Sequence, residues 1–226
     1  MKDEFYGRSF QVLRSCMRLI CRKYQVYNLR ETNKPVVYIS HHQNFHGPMM
    51  TMLWFPHSLH LWALSVFCNR EDCYHQITQY PLTARFGLPL PLAKLIAKPL
   101  SIPIASLVKS SKAIPVYRNS RKIILTFKES AELMKKGESI VIFPDVQYDD
   151  RSNEIKELYE GFLNLERYYY QLTGEHVCFR PLYADKKKKA LLIGGDIYFG
   201  DGDFRTEKAR VIQKIRDGLN ELAAGC

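Results

Sequence analysis

The sequence has no internal repeat, no glycine- or serine-rich linker and no low-complexity tail, which argues against solenoid and tethered multi-domain architectures. It also lacks the apolar core of a signal peptide behind the opening MKDEFYGRSF, and its six cysteines, at positions 16, 21, 68, 73, 178 and 226, form no tight disulfide framework. A reducing, cytoplasmic compartment with free thiols is therefore expected. Cys68 and Cys73, with His75 nearby, have no second pair to complete a zinc site, so buried thiols are the expected reading. No zinc finger, helix-turn-helix or basic-aromatic strand array is found, and nucleic acid is not an expected partner. Long unbroken hydrophobic runs are missing too. The longest weakly charged stretch, FGLPLPLAKLIAKPLSIPIASLV (86–108), is interrupted by prolines and two lysines. A set of short helical turns lying at a membrane surface is expected there, not a spanning helix.

What is present is a basic surplus. The 226 residues carry 33 Lys and Arg against 23 Asp and Glu, a formal charge of +10, which attracts an anionic partner such as phospholipid headgroups, a phosphorylated substrate or an acidic carrier protein. From Phe10 to Tyr27, the residues Phe10, Leu13, Met17, Ile20, Tyr24 and Tyr27 recur at helical spacing, with Arg14, Arg18 and Arg22 beside them. Such a helix suits an anionic membrane surface, and equally suits packing on its own domain with a solvated basic edge. The lysine run DKKKKA (185–190) falls between two apolar runs and reads as a solvated turn between strands.

The remainder alternates strands and helices. Strands are expected at PVVYIS (35–40), LHLWALSV (59–66), KAIPVYR (112–118), SIVIFPD (139–145), HVCFRPLYA (176–184), ALLIGG (190–195) and DIYFG (196–200). Helices are expected from Asn119 or Ser120 to Lys136 with Gly137 as the stop, from about Ile155 to Thr173, and from Thr206 onward. This pattern predicts an α/β fold: a mixed, largely parallel central sheet flanked by helices, as a single domain over 31–226 preceded by an amphipathic helix over 1–30. In such sheets, sites collect at the carboxyl ends of strands. The turns after Ser40, Val116 and Pro144 are the candidates.

The first of these turns, YISHHQNFHGP (38–48), holds three histidines. No H-E-x-x-H pattern occurs and the nearest downstream carboxylate is Glu71, so no metal is expected there. A histidine at a strand end can take a proton from a hydroxyl, and Gln43 and Asn44 can fix a ring or donate to an oxyanion. A histidine hydrogen-bonded in a loop is the plainer alternative. Arg118 offers a planar donor fork suited to phosphate, and Asp145 a carboxylate at the next strand end.

These stretches, in order, resemble the four blocks of the glycerolipid acyltransferases, the lysophosphatidate and glycerol-3-phosphate acyltransferase superfamily. SHHQNFHGP is similar to the His-x4-Asp block, with His42 in the catalytic place, and KAIPVYR to the block ending in arginine, here Arg118. FPDVQYDDRS echoes Phe-Pro-Glu-Gly-Thr-Arg-Ser at Phe143, Pro144 and Asp145, and VCFRPLYA resembles the fourth block around Pro181. The resemblance spans roughly residues 35 to 185. It implies acyl transfer from acyl-CoA or acyl carrier protein to the hydroxyl of a phosphorylated glycerolipid such as lysophosphatidic acid, in phospholipid synthesis. His42 is then the general base, Asn44, Arg118 and Asp145 bind substrate, and neither metal nor cofactor is required. The protein is expected at the cytoplasmic, inner face of an anionic membrane. Two departures stand out. Gly47 occupies the place of the block's Asp, and Val146, Gln147 and Tyr148 replace Gly, Thr and Arg. They keep open a second reading, a catalytically silent relative that binds lipid or phosphate.

Overall fold

Short β-branched runs closed by polar turns become strands, and apolar residues at three- and four-residue spacing become helices. The computed structural model describes residues 5–146, 155 and 157–225. In chain order the elements are α1 (Arg8–Ile20), β1 (Gln25–Tyr27), β2 (Val36–Ser40), α2 (His46–Trp54), β3 (His60–Leu64), α3 (Arg70–Ile77), α4 (Leu90–Ser110), β4 (Ile114–Val116), α5 (Ile123–Lys135), β5 (Ile140–Ile142), α6 (Leu165–Thr173), β6 (Cys178–Asp185), β7 (Ala190–Ile193) and α7 (Phe204–Ala224). The chain forms two compact units, one from Met1–Ser15 and Leu61–Thr126, the other from Cys16–His60 and Phe127–Cys226.

The second unit contains a five-stranded run in the order β1-β7-β6-β2-β5. Only β6 and β7 pair antiparallel, joined by the lysine turn; β1 with β7, β6 with β2 and β2 with β5 are parallel. This is the expected α/β class with a mixed, largely parallel sheet. Every residue of β2, β5 and β6 is buried, as strands covered on both faces require. Val211, Ile212, Ile215 and Leu219 form the buried stripe of α7, which Asp203 caps by accepting from the N–H groups of Arg205 and Thr206. That helix comes close to β6: a Cβ on Gly218 would stand 2.8 Å from the Pro181 ring, so the fourth-block proline sits where only glycine lets α7 approach. In the first unit, β3 and β4 pair in parallel, and α3 and α4 pack together around Cys73, Ile77, Ala93 and Ala97.

Four local expectations need correction. The helix of the basic stripe ends at Ile20, not Tyr27. Beyond it, Tyr24 turns inward and β1 pairs with β7, burial and ladder bonds that a helix with no buried residue cannot match. Two of its arginines also face the protein. Arg14 lies over the Tyr6 ring, and Arg18 lies over Trp54 while donating to the Leu53 carbonyl at 2.7 Å. The stretch expected as short turns is one 21-residue helix, α4. Pro91 falls in its first turn, where no N–H is needed, and Pro99 and Pro103 are tolerated inside it. The helix expected from Ile155 starts only with a 3-10 turn at Glu160–Asn164, because the chain before it pairs with the end of β5. Finally, DIYFG supplies a single bridge, Ile197 to Phe179, and no strand.

Candidate active site

Because β2 and β5 run parallel with Ile39 beside Ile142, their carboxyl ends stop side by side. β2 delivers His41 and His42, and β5 delivers Phe143, Pro144 and Asp145. Asp145 is held by the main chain on either side of it: Tyr159 N–H donates to the Pro144 carbonyl at 2.7 Å, and Val146 N–H to the Glu157 carbonyl at 3.2 Å. Its carboxylate is buried and carries two interactions. One oxygen pairs with Nδ1 of His41, whose ring is 2% exposed. The other accepts from the main-chain N–H of His42 at 2.7 Å. A buried carboxylate is costly unless paired and hydrogen-bonded, and Asp145 meets both conditions while joining the two strand ends.

The His42 ring stands edge-on to Phe143, with centroids 5.9 Å apart. The loop behind it is tight. Gln43, Asn44 and Phe45 follow one another at φ 46°, 60° and 131°, a left-handed run that non-glycine residues adopt only under constraint. The constraint is a set of main-chain bonds: the His42 carbonyl accepts from Phe45 N–H at 3.4 Å and Gly47 N–H at 3.1 Å, and the Gln43 carbonyl accepts from His46 N–H at 3.3 Å. These close the first turn of α2, which has no side-chain cap. Gly47 explains itself here. A Cβ at that position would lie 2.1 Å from the His41 carbonyl oxygen, so this loop admits no side chain where the His-x4-Asp block places its Asp. The carboxylate of the site comes from Asp145 instead, and it holds the His41 ring and the His42 main chain.

Gln43 is almost wholly buried, and among the described residues neither its amide nitrogen nor its oxygen has a hydrogen-bond partner. Such an amide is costly unless something satisfies it. The third histidine has a different environment. His46 Nε2 lies 3.1 Å from the Tyr24 hydroxyl, and burial, reinforced by the charges of Lys186 and Lys189, lowers its pKa to about 4. It is therefore neutral at neutral pH and shares one hydrogen bond with the Tyr24 hydroxyl. Among the described residues no group of three His, Cys, Asp or Glu side chains is placed to hold a metal ion.

The sequence-predicted residues thus divide. His42 and Asp145 come together at the paired ends of β2 and β5, and Asn44 follows two residues on in the left-handed loop. Arg118 is exposed in the first unit, two residues past β4. Arg180, a conceivable source of extra positive charge, is committed elsewhere: its buried guanidinium pairs with Asp196 and donates to the Arg30 carbonyl at 3.0 Å. Arg151, the arginine of the third-block stretch FPDVQYDDRS and another conceivable source of positive charge, lies outside the described residues. His41 is the residue that sequence reading passed over; its only signal was its place beside His42 at a strand end.

No family model matches the chain, and no curated protein matches it in sequence. Among solved structures, the 1-acyl-sn-glycerophosphate (LPA) acyltransferase PlsC of Thermotoga maritima is similar, with a TM-score of 0.50 and 14% identity over 89% of this chain and 73% of that one. The chain has an acyltransferase fold. At this identity the likeness is one of architecture alone. Within that acyltransferase fold, the first and third blocks meet at Asp145, although 103 residues separate it from His42.

Proposed function

We infer that the protein is a glycerolipid acyltransferase in which His42 is the general base. The observation that carries this is the Asp145 carboxylate joining the first-block and third-block strand ends in an acyltransferase fold. In the reaction, the His42 ring takes the proton of the acceptor hydroxyl as its oxygen bonds to the thioester carbonyl carbon. The tetrahedral oxyanion accepts a hydrogen bond from the Asn44 amide. Collapse breaks the C–S bond, and His42 returns the proton to the departing thiolate. Acyl-CoA or acyl carrier protein supplies the thioester, and lysophosphatidic acid represents the acceptor class. The family resemblance gives Arg118 the acceptor's phosphate. No metal or cofactor takes part in this scheme. The protein works in the cytoplasm, peripherally bound to the inner face of an anionic membrane.

The test is acyl transfer by the purified protein from acyl-CoA and acyl carrier thioesters to lysophosphatidic acid, beside His42→Ala. Product from the wild type and a loss of at least about a hundredfold in the variant are expected; equal turnover by both removes His42 from the base role. A second reading, a silent lipid- or phosphate-binding relative, draws on Gly47, since the loop cannot carry the block's Asp. Lipid binding with no transfer to any acceptor would favour it.

A further inference from the structure

Helix α4 is built inside out. Its buried residues are Ala93, Ala97, Ser101 and Ala105, one every fourth position, a narrow stripe of small side chains that packs in the cluster with Cys73 and Ile77 of α3. The opposite face carries Leu92, Leu95, Pro99 and Ile102, all exposed, with Leu95 at 71%. Phe86, at 69%, leads into it. A surface helix of a soluble domain puts its large apolar residues inward and polar ones outward; α4 fully buries only small side chains, with Ile96 and Ile104 partly buried against the cluster, and leaves Leu92, Leu95 and Ile102 outside. Pro99 and Pro103 lie on the outward side, so the hydrogen bonds they forfeit also face out.

Charge identifies what covers this face. Lys94 and Lys98 run along one flank of the stripe, and every ionised side chain between Asp72 and Glu129 is basic. Leucine and isoleucine edged by lysines, with no carboxylate in that stretch, complement a layer of hydrocarbon beneath anionic headgroups. A transmembrane path does not fit, although the helix is long and apolar enough by composition. Lys94 and Lys98 sit well inside the helix, with Lys109 alone in its last turn, and its small-residue face is already packed on α3. We propose that the outward face of α4 is a membrane-docking surface that lies in the plane of an anionic bilayer, with Leu92, Leu95 and Ile102 in the acyl boundary and Lys94 and Lys98 at the phosphates. This deepens the peripheral membrane placement proposed above and rests on it, whereas acyl transfer does not enter.

The experiment is vesicle flotation of the full chain with phosphatidylcholine vesicles and with vesicles containing phosphatidylglycerol, read without turnover. Wild type is expected to float with the anionic vesicles and to be released by salt. Leu95→Ser with Ile102→Ser, both at exposed positions, lowers partitioning by roughly a hundredfold, and Lys94→Gln with Lys98→Gln by roughly tenfold or more. Leu95→Trp, against the wild-type fluorescence background, is quenched by brominated lipid. Wild-type binding that survives both pairs of substitutions overturns the α4 surface while leaving membrane placement intact, and no binding to anionic vesicles overturns both. Two further results would also reject the proposal: a concentration-dependent dimer dispersed by Leu95→Ser, which makes the occupant a second copy, or alkali-resistant insertion, which makes the helix a span.

Discussion

Gly47 lies against the carbonyl of His41 so closely that a Cβ on the glycine would stand 2.1 Å from that oxygen. The obvious repair of the His-x4-Asp block, Gly47→Asp, is therefore expected to fail. The variant should lose about 2–4 kcal/mol of stability in urea unfolding, because a main-chain atom must move to make room. Gly47→Ala should lose nearly as much, since the clash belongs to Cβ and not to the carboxylate. Acyl transfer by Gly47→Asp should fall below the wild-type rate.

Asp145 answers to two groups at once, the His41 ring and the His42 N–H. Asp145→Ala leaves both without their acceptor in a buried place and should cost about 3–5 kcal/mol. Asp145→Asn keeps one acceptor oxygen and should cost visibly less. Chemical denaturation of the two variants in parallel checks the order, and a cost equal in both would mean that shape, not acceptance, is what the loop needs.

His46 and His176 make stability depend on pH in adjoining windows. His46 has a folded pKa near 4, below the ordinary value of 6.5, so its contribution is complete above 6.5 and is lost as pH falls from 6.5 through 4. The expected size is on the order of 1–2 kcal/mol after allowance for solvent screening. For His176, burial alone would lower the pKa, but the hydrogen bond and charge of Glu166, with help from Asp201, outweigh it and the net shift is upward. Its contribution is complete below 6.5 and is lost as pH rises through the raised value. Together they predict a local maximum of stability near pH 6.5. Urea midpoints across pH should show His46→Gln flattening the acid side and His176→Gln the alkaline side.

Arg180 is a structural cation. Arg180→Ala strands the Asp196 carboxylate and the Arg30 carbonyl and should destabilise by about 3 kcal/mol. KM for a phosphorylated acceptor should stay within about twofold of wild type in the folded fraction. Arg118→Ala, judged by the same assay, should raise KM with little change in thermal unfolding.

The strands were legible in the sequence wherever burial writes a plain code. Val36 to Ser40, Ile140 to Ile142 and Ala190 to Ile193 are apolar runs ended by polar turns, and each became a strand of the sheet. The stripe Phe127, Ala131 and Met134 likewise marked α5, with Gly137 at φ 86° as its stop. Periodicity misled where it continued past a physical boundary. Tyr24 keeps the helical spacing of α1, yet its ring is worth more buried against His46 than exposed on another turn. Proline misled in the opposite sense at α4, where Pro99 and Pro103 suggested broken turns but sit on the outward face, away from the packing that holds the helix. Of the site, His42 and Asp145 could be nominated separately from their blocks. That Asp145 grips the neighbouring ring at His41 could not, because a contact across 104 residues follows from the strand pairing and leaves no local pattern.

The main chain of His42 is held from both sides. Its N–H is taken by Asp145, and its carbonyl by the N–H groups of Phe45 and Gly47. With the peptide held at both ends, the backbone entropy of placing this side chain at the strand end is settled on folding. The same anchoring makes position 42 unusually clean for genetics. The tethers from Asp145, Phe45 and Gly47 belong to the peptide, so exchanging the ring leaves these main-chain bonds in place, and a change in rate there is read against an intact loop.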